Sequence, residues 1–207
     1  MTKRIVVALG GSALLHNGQR PEAATQQRNV AAAAAVLSEL AADNELVVTH
    51  GNAPQVGLLA VEADAYKAVG PYPIDLLGAE SQGLIGYLLA QAIRNTTPHA
   101  DVVTVLTQVI VSARDPAFEE PSKRIGPVYS RREARELARE HNWSIAPDGN
   151  YFRRVVASPE PREIVELGAI ERLLDGGSIV VCAGGGGVPV VADRAGLHGV
   201  EASSTRI

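Results

Sequence analysis

Three glycine turns, each closing a short apolar run, are the residues of this chain best suited to chemistry. Gly10-Gly11-Ser12 follows Arg4 to Leu9, His50-Gly51-Asn52 closes the run from Glu45, and Gly184, Gly185, Gly186 and Gly187 follow Ser178 to Ala183. Glycine leaves the backbone bare, so that amide N–H groups can approach an anion closely. Ser12 adds a hydroxyl, while Asn52 and Gln55 offer neutral donors and acceptors suited to a small polar substrate. Lys123 stands between Pro121 and Pro127. A lysine on such a stiffened loop can neutralise phosphoryl charge as a mobile cation. A phosphate-handling site is the first expectation.

Each piece also has a plainer reading. Gly-Gly-Ser alone reads equally as a tight turn. A lone His50 is more often structural than catalytic, and spacing reveals no nucleophile–base pair. By composition Lys123 is a solvated surface lysine, and Arg153-Arg154 either stabilise an anion or decorate a strand edge. Four consecutive glycines are too costly in chain entropy for an ordinary connection, with a flexible linker as the alternative. They form neither a Walker loop nor GxGxxG. Cys182, inside a strand run, reads as a small buried hydrophobe.

The elements that must position these residues follow from short β-branched runs without alternation, the signature of parallel strands buried on both faces. Open α/β sheets bind ligands at the carboxyl edge of such strands. Pro21 can open a helix over 22–43, and strand 45–49 completes a right-handed β-α-β unit. Helices are predicted over 55–67 and 76–94, separated by Gly70-Pro71-Tyr72-Pro73, with a third strand over 101–111. Residues 112–161 hold six of the 12 prolines, the single tryptophan (Trp143) and both phenylalanines. With an arginine-dense helix around 130–142, they read as a small insertion or lid ending in the strand Phe152 to Val156. Helix 162–175 and strand 178–183 return to the main sheet. Asp193 to Ile207 is weakly patterned.

A chain of 207 residues suffices for one sizeable core, or one domain with a smaller insertion. The net charge is −4 without a basic block, and 4% aromatic residues leave little for base stacking. Nucleic-acid and membrane-surface partners are therefore not expected. One cysteine excludes an intramolecular disulfide and suits a reducing cytosol. No run approaches the ~20 apolar residues of a membrane span, so a soluble, cytoplasmic protein is expected.

Taken in order, several segments carry a resemblance. They are Val6 to Leu14, His50 to Gly57, Ser81 to Tyr87, Thr107-Gln108-Val109, Asp115 to Phe118, Lys123 to Pro127, Arg153 to Pro159, Cys182 to Val190 and Gly199 to Ala202. Together they resemble the carbamate kinases, a branch of the amino acid kinase family, over residues 4–202. Ala8 stands where the acetylglutamate and aspartate kinases carry lysine, which favours the carbamate branch; another acyl-phosphate-forming amino acid kinase is the alternative.

The resemblance implies an α/β fold: a three-layer αβα sandwich with a mainly parallel sheet and a small protruding lid subdomain at about 112–160. It implies reversible phosphoryl transfer between carbamoyl phosphate and ADP, giving ATP and carbamate, with Mg2+, in arginine catabolism and in a homodimer. Gly10, Gly11, Ser12, Gly51 and Asn52 would surround the carbamate or the phosphoryl group. Lys123 would reach that group from the lid, and Gly184 to Gly187 would line the edge near the phosphates. No residue is carried over as a metal ligand. Such transfer needs mainly positioning and charge stabilisation, which amides and a lysine supply.

Three departures stand out. Ser12 replaces the family's asparagine, and Ala53 replaces a glycine, a penalty if that position needs φ > 0. The family continues after Gly-Val-Glu-Ala into Val-Ile-Asp-Lys-Asp and a nucleotide-binding half, whereas Ala202 is followed here by Ser203 to Ile207. The expectation is an incomplete amino acid kinase domain over 1–207, its nucleotide half missing, with little kinase activity alone. A non-catalytic anion-binding remnant or interaction module is the competing reading. An apolar sheet edge near 178–192 is expected to need cover.

Overall fold

The computed structural model describes residues 2–16, 19–66, 68 and 70–203, apart from the side chain of Ser12. The chain begins with β1 (Arg4–Leu9), the single turn α1 (Gly11–Leu14), α2 (Ala23–Ala41), β2 (Glu45–His50), α3 (Ala53–Ala65) and α4 (Ile74–Thr96). β3 (Val102–Thr104) and β4 (Gln108–Ile110) precede β5 (Lys123–Tyr129), α5 (Arg131–His141), β6 (Ser144–Asp148) and β7 (Tyr151–Val156). β8 (Glu163–Ile164), α6 (Leu167–Asp175), β9 (Ile179–Val181), β10 (Val188–Asp193) and β11 (Gly196–Gly199) complete it.

The β-branched runs pair in parallel in the order β1-β2-β9-β3, so their carboxyl ends share one edge. On one face α2 and α4 bury Val30, Leu37, Leu46, Val48, Leu89 and Ile93. On the other, Ile170 and Leu174 of α6 close over Val180 and Cys182. Each such aliphatic side chain contributes ~1.5–3 kcal/mol by leaving water. The layers are helix, sheet, helix. Gly86 lets α4 lie directly on β3: a Cβ there would meet the Thr104 methyl at 2.2 Å, and the Thr104 hydroxyl donates to the Gly86 carbonyl at 3.0 Å.

A second sheet runs β11-β10-β4-β8, and a third, antiparallel one runs β5-β7-β6 with α5 beside it. α5 starts where the Ser130 hydroxyl accepts the Glu133 N–H and stops where Asn142 turns left-handed at φ 54°. Val56, Ile74, Leu77, Ile125 and Val156 pack this sheet onto α3 and α4.

Several expectations are corrected. The strand predicted over 101–111 is two strands in different sheets, because Gln82 grips the Thr107 backbone from both sides, Thr107 N–H to Oε1 at 2.9 Å and Nε2–H to Thr107 C=O at 3.0 Å. The helix predicted from 162 starts only at Leu167. Before it, Glu163–Ile164 pair with β4, and the Glu166 carboxylate accepts from the Gln108 backbone and side-chain amides at 2.7 and 3.0 Å. The weakly patterned end forms a hairpin of β10 and β11, and residues 204–207 lie outside the described residues. Lys67, the predicted end of helix 55–67, also lies outside them. The uncovered apolar edge is not near 178–192, where Ile179, Val181 and Val190 are buried; it is β1, whose Val6 is 64% exposed. β7 lies mid-sheet, so Arg153 and Arg154 decorate no edge. No described helix is long and apolar enough to cross a membrane.

Candidate functional site

The common edge of β1, β2 and β9 gathers the three glycine turns, with contacts that leave no room for side chains. A Cβ on Gly51 would lie 2.9 Å from the Gly11 amide nitrogen, and one on Gly185 would lie 2.3 Å from Asn52 Nδ2. A Cβ on Gly184 would lie 2.4 Å from the His50 ring. The first turn therefore touches the second at Gly11 and Gly51, and the second touches the third at Asn52 and Gly185, all along one edge of the sheet.

The hydrogen bonds divide donors from walls. Gly51 N–H donates to the Leu9 carbonyl at 2.8 Å, Gly186 N–H to Ala183 at 3.0 Å and Gly187 N–H to Gly184 at 3.1 Å. These three glycines supply bare backbone rather than a donor. The amides of Gly11, Asn52, Gly184 and Gly185 open their turns and carry no such bond among the described residues. Helix starts leave N–H groups of this kind for anions, and α3 starts immediately after Asn52. Ala53 is helical with ordinary φ, so the penalty expected of an alanine there does not arise. The Ser12 side chain lies outside the described residues.

Ser81, Thr49 and Thr107 support these turns, and sequence reasoning assigned them no role. The buried Asn52 donates from Nδ2 to Ser81 Oγ at 2.8 Å, and Ser81 donates to the Gly78 carbonyl at 2.6 Å. Ala183 takes the left-handed φ of 51° that launches the glycine turn. Its N–H donates to Thr107 Oγ1 at 2.9 Å and its carbonyl accepts from Thr49 Oγ1 at 2.9 Å, offsetting that strain. Thr49 near the end of the second run and Thr107 within the third predicted strand were the available signal.

His50 is 1% exposed, and its burial pushes the imidazole below its ordinary pKa, with the Gly51 carbonyl opposing; its ring walls the Gly184 turn. Gln55 is turned away from the tips, donating to Gln26 Oε1 at 2.9 Å. Burial raises the Cys182 thiol to about 11, which agrees with the inert hydrophobe expected. Arg153 is held by Asp148 at 2.8 Å and the Gly126 carbonyl at 2.9 Å, and Arg154 by Glu201, so neither guanidinium is offered to the tips.

Lys123 opens β5, paired with Val156. Burial lowers its ammonium to about 8. Gly10 is exposed, Gly11 and Gly51 are half-buried, and Gly184 to Gly187 are buried, so the tips open toward solvent on the β1 side. Beside the second and third turns lies a cavity of ≈10 Å³ lined by Asn52, Gln82, Gly184, Gly185, Ala202 and Ser203.

This donor set of amides and one carboxamide suits a small anion. It does not suit Mg2+, which needs oxygen ligands: among the described residues no group of three or more His, Cys, Asp or Glu could hold a metal.

A sequence profile of the amino acid kinase family matches residues 3–199. The chain belongs to the amino acid kinase family. Within it, the carbamate kinase of Haemophilus influenzae is 51% identical over 201 residues, covering 96% of this chain and 65% of that enzyme. The carbamate kinase of Escherichia coli K12 is 52% identical over 198 residues, covering 96% and 67%. Among solved structures, a Giardia lamblia carbamate kinase bound to AMP-PNP superposes with a TM-score of 0.88 at 36% identity, over 98% of this chain and 67% of that one. The chain thus lies on the carbamate kinase branch of that family and spans about two thirds of its relatives' length.

Proposed function

We propose that this chain carries the carbamoyl-phosphate side of a carbamate kinase, which transfers a phosphoryl group reversibly between carbamoyl phosphate and ADP to give ATP and carbamate. The observation that carries the reading is the contact of each glycine turn with the next along one sheet edge, Gly51 on Gly11 and Gly185 on Asn52. In it, the amides of Gly10, Gly11, Ser12 and Asn52 surround the carbamoyl end, and Gly51 keeps the wall thin. The Gly184–Gly187 turn lies on the nucleotide side. Lys123 meets the phosphoryl group from a lid formed by residues 112–160, a role favoured by the separate β5-β7-β6 sheet. ADP with Mg2+ is the co-substrate, and the nucleotide is held outside the part that aligns here. The setting is cytoplasmic carbamoyl phosphate catabolism, linked to arginine.

Residues 1–207 taken alone are expected to bind carbamoyl phosphate and to form ATP slowly or not at all, since the relatives are half as long again. A coupled assay with carbamoyl phosphate and ADP, alongside calorimetry with each, checks this. Robust turnover would contradict the division of labour, and absence of carbamoyl phosphate binding would refute the reading.

The protein is also expected to be a homodimer, with the exposed Leu76, Leu84 and Tyr87 of α4 among the apolar surface available for contact. Light scattering at high concentration should give twice the chain mass; a monodisperse monomer would contradict it.

A further inference from the structure

Arg154 sits in the middle strand of the three-stranded sheet, its side chain 10% exposed. Its guanidinium pairs with Glu201 and lies 4.2 Å from the ring centroid of Trp143, which also stacks on His141 at 4.7 Å. The second Glu201 oxygen accepts the N–H of Ile74 at 3.1 Å, at the start of the 23-residue α4, where the helix dipole favours a carboxylate. Glu201 therefore ties β7 to the N-terminus of α4.

The chain on either side of this clamp leads to Lys123. Ala202 bridges Ala157 in parallel, and Ser203 N–H donates to the Ala157 carbonyl at 3.0 Å. Val156, next to Ala157, is the partner of Lys123 across β5 and β7, and Ser122 N–H donates to the Val156 carbonyl at 3.2 Å. Ala202 and Ser203 in turn line the small cavity beside the second and third glycine turns. Beside this seam is a cavity of ≈570 Å³, lined by Tyr72, Phe118, Trp143, Arg154, Val156 and Glu201. The seam is open on that side, so the ion pair adds a polar hold to the apolar packing of Ile125 and Val156 on α3 and α4.

We propose that Arg154 and Glu201 are positioning residues, whose ion pair, seated on the Ile74 amide, fixes the β5–β7 pair that carries Lys123 against the 201–203 segment at the strand tips. The functional meaning of this clamp rests on the reading that Lys123 meets the phosphoryl group. With Arg154 buried and the Glu201 side chain 50% exposed, the pair is weak evidence of stabilisation in itself. Its geometry is what an apolar pair would not reproduce.

A double-mutant cycle separates positioning from general support. Glu201→Gln is expected to weaken carbamoyl phosphate binding roughly tenfold when Lys123 is present, and by less than about twofold in a Lys123→Ala background. Equal losses in both backgrounds, or no loss, would overturn the proposal. If Glu201→Gln leaves Arg154 too poorly paired for the fold to persist, Arg154→Met with Glu201→Gln removes the stranded charge and enters the same cycle. Amide exchange needs no ligand, so it decides the clamp even if wild type binds no carbamoyl phosphate, a result that would sink the site reading separately. Glu201→Gln should speed exchange at residues 123–125 and 154–156 while β1 and β2 keep their protection. Unchanged exchange at 123–125 would overturn the proposal.

Discussion

Gly185→Ala is expected to lose carbamoyl phosphate binding and to melt well below wild type. Gly185 has φ +63°, and its Cβ would come within 2.3–2.5 Å of all three terminal side-chain atoms of Asn52. A left-handed alanine costs ~1–2 kcal/mol. Overpacking adds ~1–3 kcal/mol. Asn52 has nowhere to retreat, because it is buried and its Nδ2 is committed to Ser81. Moving it displaces the start of α3 and one wall of the proposed anion site together. A loss of about 2–5 kcal/mol corresponds to a fall of roughly 4–20 °C in Tm for a chain of this size. Gly83→Ala is the control: its Cβ would meet nothing within 4 Å, so the usual helical preference for alanine should leave stability equal or higher. Thermal melts with calorimetry on both variants check this. A Gly185→Ala protein as stable and as tightly binding as wild type would contradict the crowding.

Lys123→Ala is expected to weaken carbamoyl phosphate binding by roughly 10–100-fold, the range of one charge-assisted contact. The pH dependence carries the same signature. Burial holds the ammonium at about 8 rather than 10.5, so Lys123 is cationic at pH 7 and discharges above 8. Affinity should fall about tenfold per pH unit above 8, levelling at the Lys123→Ala value. Stability should move the other way. Between about 8 and 10.5 the unfolded chain binds the proton that the folded chain has released, so this group's contribution to stability rises with pH through that window. Titration calorimetry from pH 7 to 10 separates the two trends. An affinity flat across that range, or unchanged by Lys123→Ala, would remove Lys123 from the site.

How much of this was legible in the sequence differs element by element. The runs Leu46-Val47-Val48 and Ile179-Val180-Val181 announce parallel strands because a sheet covered on both faces needs uninterrupted apolar residues, whereas Ile5-Val6-Val7 carries the same pattern on an edge strand that alternates between exposed and half-buried. The glycines that end them mark the edge where backbones must touch. Local pattern could not reveal that Gly51 N–H would be taken by Leu9, since only the sheet register brings them together. Nor could it show that Gln82 would interrupt a strand at Thr107, or that Glu166 would hold Gln108 from 58 residues away. These are single polar contacts between distant segments, and they leave no periodic trace. The Arg154–Glu201 pair is of the same kind. Arg153 and Arg154 were visible as charges, but only the fold tells which carboxylate each one meets.

The central claim, that main-chain amides at three strand tips hold one small anion, is tested most directly by following backbone amide resonances while carbamoyl phosphate is added to 15N-labelled protein. The amides of Gly11, Asn52, Gly184 and Gly185 should shift together and saturate at one common affinity, while those of Gly186 and Gly187, bonded within the chain, move less. Shifts confined to one tip, or centred on the far side of the sheet, would contradict the account.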